Sequence, residues 1–155
     1  MLQKIDHIGI AVDSLAEARF YYEEVLGLAR GRVEEIAAWQ VRVAFYDLGG
    51  VHIELLEPMT EDSPVAKFLK KNSPGVHHLA FRSDDVAGQL ARAAAKGCRL
   101  ITSEPVSGAG GKKIAFLHPG STFGVLTEFC SSSDHGGKGA GPLPSLTEEQ
   151  YEKKV

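Results

Sequence analysis

Cysteine is scarce in this chain, with two residues in 155, Cys98 and Cys130, in no C-x-x-C or Cys/His spacing. That excludes a disulfide framework and a thiolate metal cluster, and it reads both as small apolar residues of a reduced, cytoplasmic protein. Long hydrophobic runs are missing too. The stretch from Met1 to Val12 is interrupted by Asp6 and His7, so it is expected to be a strand and neither a signal peptide nor a membrane span. An excess of one charge is also missing: 17 Lys+Arg stand against 20 Asp+Glu, a net charge of −3, with no basic block. Nucleic acid and membrane are therefore poor partners. What the chain does have is an ordinary globular composition, 43% apolar and 24% charged, at a length that buries about two thirds of its surface on folding. It also has six histidines, of which only His135 lies beyond the apparent core.

An internal repeat organises the chain. Ile5-Asp6-His7-Ile8-Gly9-Ile10-Ala11 resembles Val76-His77-His78-Leu79-Ala80-Phe81, which sets His7 and His78 71 residues apart. The same offset relates Asp13 to Asp84 and Phe45 to Phe116. Each opening strand is followed by an acidic turn and a helix pattern that closes on a glycine, Gly27 in the first copy and Gly97 in the second. In the first helix Ser14 and Glu17 have capping-box spacing. Strands follow in both copies: Val41–Phe45, a Leu48-Gly49-Gly50 turn and Val51–Leu56, then Lys113–Leu117, a His118-Pro119-Gly120 turn and Phe123–Cys130. Ser63-Pro64 before Val65, Phe68 and Leu69 predicts a short connecting helix. The expected fold is α+β, two βαβββ modules (about 3–59 and 75–130) whose strands make a rolled mixed sheet with outer helices. Residues 1–130 then form one domain, and 131–155 a flexible serine-, glycine- and proline-rich tail.

Four residues hold equivalent places in the two copies: His7 and His78 in the opening strands, Glu54 and Glu128 in the closing strands. Any one alone is more simply a hydrogen-bonded strand histidine or a solvated glutamate. Repetition argues otherwise, because a charge inside an apolar strand is costly twice over. Two imidazoles and two carboxylates make a first shell for one divalent ion, Co, Zn, Ni or Mn. A structural hydrogen-bond network is the competing reading. His77 must face away from His78 by strand alternation. His52, two residues before Glu54, is a rim residue or an alternative ligand, and His118 and His135 have no partner by spacing. Ser107–Lys113 is not a P-loop, since it leads into a strand. It reads equally as a mobile hairpin or as an anion contact through Lys112 and Lys113.

On Asp6–Val12, Ile53–Pro58, Ser63–Leu69, Val76–Phe81 and Gly110–Pro119, the chain resembles the vicinal oxygen chelate superfamily, the glyoxalase I-like proteins, and within it the methylmalonyl-CoA epimerases. The resemblance covers residues 4 to 130. It implies metal ligation by His7, Glu54, His78 and Glu128, an acyl-CoA thioester substrate and a homodimer; the loop of Lys112 and Lys113 would then meet a CoA phosphate. It also implies epimerisation of (R)- and (S)-methylmalonyl-CoA through a metal-stabilised enolate, with Glu128 acting on one face and Glu54 or a metal-bound water on the other. Some family members carry an additional catalytic glutamate where this chain has Trp39-Gln40-Val41-Arg42-Val43, a stretch with no carboxylate. Glyoxalase I would use the same four ligands, and a non-catalytic small-molecule-binding member of the superfamily is the alternative from another class. A ring-cleaving dioxygenase fits less well, because it favours two histidines and one carboxylate around iron.

Overall fold

A computed structural model of the chain describes residues 1–108 and 111–132. Among these, eight strands form one mixed sheet: β1 (Leu2–Ala11), β2 (Arg32–Ile36), β3 (Val41–Asp47), β4 (His52–Pro58), β5 (Gly75–Ser83), β6 (Val106–Ser107), β7 (Lys113–Leu117) and β8 (Leu126–Cys130). Their order is β2-β3-β4-β1-β5-β8-β7-β6. The helices are α1 (Leu15–Phe20), α2 (Pro64–Lys71) and α3 (Val86–Ala95). The α+β expectation holds. No helix among the described residues is long and apolar enough to cross a membrane.

Local chemistry sets the helix ends. Ser14 accepts a hydrogen bond from the Glu17 N–H at 3.3 Å, Ser63 from Val65 at 3.2 Å, and Asp85 from Gly88 at 2.8 Å, so each helix begins on a side-chain cap. Pro64 opens α2, where its missing N–H costs nothing. After α1 and after α3 the chain leaves through Gly27 (φ +72°) and Gly97 (φ +83°), left-handed positions that a side chain would strain.

The chain divides into two compact units, cut inside strands: His7–His77, and Met1–Asp6 with the residues from His78 on. Each is built alike. In the His7–His77 unit β1 runs parallel to β4, β3 antiparallel to β4, and β2 antiparallel to β3. In the other, β5 runs parallel to β8, β7 antiparallel to β8, and β6 antiparallel to β7. The cores repeat as well. Leu15, Ala44, Tyr46 and Leu55 pack together in the first, and Val86, Ala115, Leu117 and Phe129 in the second. Three of these four correspondences keep the 71-residue offset, and Leu55 to Phe129 is 74, the same offset as Glu54 to Glu128. Since Leu55 and Phe129 face the helix core, alternation turns Glu54 and Glu128 to the opposite sheet face.

Two features depart from sequence expectation. The second strand of each module had no legible pattern, because β2 is a mostly exposed Arg-Val-Glu-Glu-Ile edge and β6 has two residues. The final strand begins at Leu126 and not at Phe123, because Phe123 takes φ +57° in a turn where the Gly124 N–H donates to the Pro119 carbonyl at 2.9 Å. The tail beyond residue 132, with His135, and residues 109–110 of the Ser107–Lys113 loop lie outside the described residues.

A polar latch fastens α1 to β3. Glu23 accepts from Arg19 Nε at 2.8 Å, the Tyr46 hydroxyl at 3.0 Å and the Gly31 N–H at 3.3 Å. Gly31 has no room for a side chain, since an added Cβ would stand 2.8 Å from the Tyr46 ring and 2.9 Å from the Phe45 carbonyl oxygen. The Gly31→Ala protein is expected to lose about 1–3 kcal/mol of stability through this overpacking, read as a lowered denaturation midpoint at unchanged m-value.

Candidate functional site

The polar residues that the repeat singles out meet pairwise, one pair in each unit. In the His7–His77 unit the parallel register sets His7 opposite His52 and Gly9 opposite Glu54. Glu54 Oε1 lies 3.8 Å from His7 Nδ1. In the other unit His78 stands opposite Leu126 and Ala80 opposite Glu128, and Glu128 Oε2 lies 3.8 Å from His78 Nε2. All four side chains are largely withdrawn from solvent: His7 8%, Glu54 16%, His78 10% and Glu128 6% exposed. A carboxylate so placed is expensive unless a cation or donors face it. A separation of 3.8 Å exceeds a hydrogen bond, yet one ion with bonds of about 2.1 Å can touch both atoms. Each half of the repeat therefore supplies one imidazole and one carboxylate spaced as two ligands of a divalent cation.

The remaining histidines sort by their surroundings. His77 is buried, packs edge-to-face on Phe68 of α2 at 5.0 Å between ring centroids, and has its pKa lowered to about 4 by burial. It is a neutral core residue. His118 is buried and its Nδ1 accepts from the Gly120 N–H at 2.9 Å, which shapes the turn before β8. His52 is half-buried and stands opposite His7 in the strand register. Asp6 already carries two cations. Arg82 Nε donates to Asp6 Oδ1 at 2.8 Å and Lys112 Nζ to Oδ2 at 2.6 Å. The Cys130 thiol is pushed far up, first by burial and then by the Glu128 and Asp6 carboxylates, so it stays protonated and a poor ligand.

Asp6 is the residue that sequence reasoning missed. It is fully buried, and the only signal for it was a charge inside an otherwise apolar strand. Lys112 and Lys113, which shared one role on paper, separate in space. Lys113 is exposed, with its N–H donating to the Ser131 hydroxyl at 3.0 Å, whereas the Lys112 side chain is 20% exposed and tied to Asp6. On the sheet face of Glu54, β3 presents Val43 opposite Leu56, Phe45 opposite Glu54 and Asp47 opposite His52, and β2 sets Glu34 opposite Val43.

Residues 6–116 match the family model described as the Glyoxalase/Bleomycin resistance protein/Dioxygenase superfamily. An uncharacterized protein of Bacillus subtilis is 47% identical over 129 residues, 83% of this chain and 92% of its own length. The mitochondrial methylmalonyl-CoA epimerase of Bos taurus is 38% identical over 128 residues, 82% of this chain and 73% of its own. A solved structure of methylmalonyl-CoA epimerase in complex with methylmalonyl-CoA and NH4+ is 38% identical with a TM-score of 0.78, over 92% of this chain and 100% of that one. The fold, the repeat and these relatives agree that the chain belongs to the methylmalonyl-CoA epimerase family of the Glyoxalase/Bleomycin resistance protein/Dioxygenase superfamily.

Proposed function

We propose that this chain interconverts (R)- and (S)-methylmalonyl-CoA, with His7, Glu54, His78 and Glu128 holding one divalent metal ion. The observation that carries the reading is the duplicated pair, a withdrawn carboxylate 3.8 Å from an imidazole in each unit. Family membership supplies the substrate class. Nitrogen and oxygen donors without thiolate suit Co, Zn, Ni or Mn.

Epimerisation removes the α-proton between a carboxylate and a thioester and returns it to the opposite face. A bound divalent ion would act as a Lewis acid toward the oxygens on which the enolate's charge develops. The chain's own residues move the proton. Glu128 takes it on one face, and Glu54, from the equivalent position of the other copy, delivers to the other.

The test is α-proton exchange in deuterated water with methylmalonyl-CoA, beside the glutathione hemithioacetal of methylglyoxal. Turnover of the first alone, lost on chelation and restored by one equivalent of a divalent metal, is the expected result. Turnover of the hemithioacetal instead would make the chain a glyoxalase, and binding without turnover of either would make it a non-catalytic member.

A further inference from the structure

We propose that Lys112 receives the free carboxylate of the acyl group, and that Asp6 is the positioning residue that holds it there; this deepens the epimerase reading and rests on it. The argument begins with charge. Two cations, Arg82 and Lys112, share the single carboxylate of Asp6, one on each oxygen, which leaves a surplus of one positive charge. Asp6 is wholly buried, while the Arg82 and Lys112 side chains are 23% and 20% exposed, so the surplus lies in a partly desolvated place where it attracts an anion strongly. Among the described residues Asp6 is the one carboxylate that Lys112 pairs with. An ammonium has three donors, and the bond to Asp6 occupies one.

Register places the cluster next to the Glu128 pair. Along β5, His78, Ala80 and Arg82 face the same way, and they stand opposite Leu126, Glu128 and Cys130 of β8. Arg82 is therefore two residues beyond the Glu128 level, about 7 Å along a strand. Cys130 stands opposite Arg82, two residues beyond Glu128 on β8. A short dicarboxylic acyl group whose α-carbon meets Glu128 would reach Lys112 with its carboxylate. The backbone keeps that lysine in place from its other side, for the Lys112 carbonyl accepts from the Gly108 N–H at 2.7 Å. A lysine so anchored is poorly suited to follow a distant phosphate on the CoA nucleotide, a role open to exposed Lys113.

Calorimetric titration with malonyl-CoA and acetyl-CoA, which differ by the free carboxylate, decides the matter. Wild-type protein is expected to prefer malonyl-CoA at least about tenfold, the scale of one hydrogen bond to a charged group. Lys112→Met should cut that preference about tenfold or more while acetyl-CoA affinity stays within about threefold, and Lys112→Arg should keep most of it. The Met variant leaves Asp6 paired with Arg82, so it is expected to fold, which a thermal scan checks. Asp6→Asn, where it folds, should reproduce the Lys112→Met ratio and add nothing to it in the double variant. Equal weakening of both thioesters would put Lys112 on a group they share, and an unchanged ratio would remove it from the site; either overturns the proposal. A wild-type chain that binds neither thioester overturns the epimerase reading itself.

Discussion

Glu128→Gln protein is expected to lose roughly a thousandfold in α-proton exchange from methylmalonyl-CoA, the middle of the range for a positioned general base. The substitution keeps size and one acceptor oxygen but removes the charge and the proton-accepting oxygen pair. Because Glu128 is buried between β5 and β7, opposite Ala80 and Phe116, glutamine has little freedom to turn away. The fold should survive, so a thermal midpoint close to wild type accompanies the lost activity. Glu54→Gln should behave differently. Glutamine keeps an oxygen donor at this position, so metal binding persists, and removal of the proton on the Glu128 face continues. Deuterium then enters from one stereoisomer while net epimerisation stops. Mass-spectrometric exchange measured separately on the (R)- and (S)-thioesters separates the two cases. A Glu128→Gln protein within tenfold of wild type on both isomers would remove Glu128 from the chemistry.

How these residues could be read from sequence depends on what duplicated them. His7 and His78, Glu54 and Glu128 were legible because the repeat presents each twice, and an apolar strand interrupted at the same point in both copies is a strong pattern. The helices were legible from local chemistry, and the structure caps them at Ser14, Ser63 and Asp85. Asp6 stayed hidden because its counterpart 71 residues on is His77, which the structure buries against Phe68. The repeat breaks at that position, and what Asp6 does depends on Arg82 and Lys112, 76 and 106 residues away. No spacing rule reaches that far. β2 was illegible for the opposite reason. As an exposed edge it needs only one paired side, and charged residues such as Glu34 and Glu35 there discourage further strand pairing.

Asp6→Asn should cost about 3–5 kcal/mol of folding stability, the cost of removing one partner from a buried ion pair and leaving the other charge uncompensated. Two charges are stranded here, Arg82 and Lys112, and their partial exposure to water places the loss toward the lower end of that range. For a chain of this length that is a fall of roughly 6–12 °C in thermal midpoint. Replacing all three residues by apolar ones of similar volume, Asp6→Leu with Arg82→Leu and Lys112→Met, should restore most of the loss, since a buried ionic cluster contributes little net stability over a packed apolar one. Stability and binding then separate. The triple variant is expected to unfold within about 1–2 kcal/mol of wild type and yet to lose its preference for a carboxylated thioester. Equilibrium unfolding in urea, followed by titration with malonyl-CoA and acetyl-CoA, tests both halves on one sample. An Asp6→Asn midpoint indistinguishable from wild type would mean that water reaches Arg82 and Lys112 freely, and the surplus charge would then have no desolvated setting in which to select an anion.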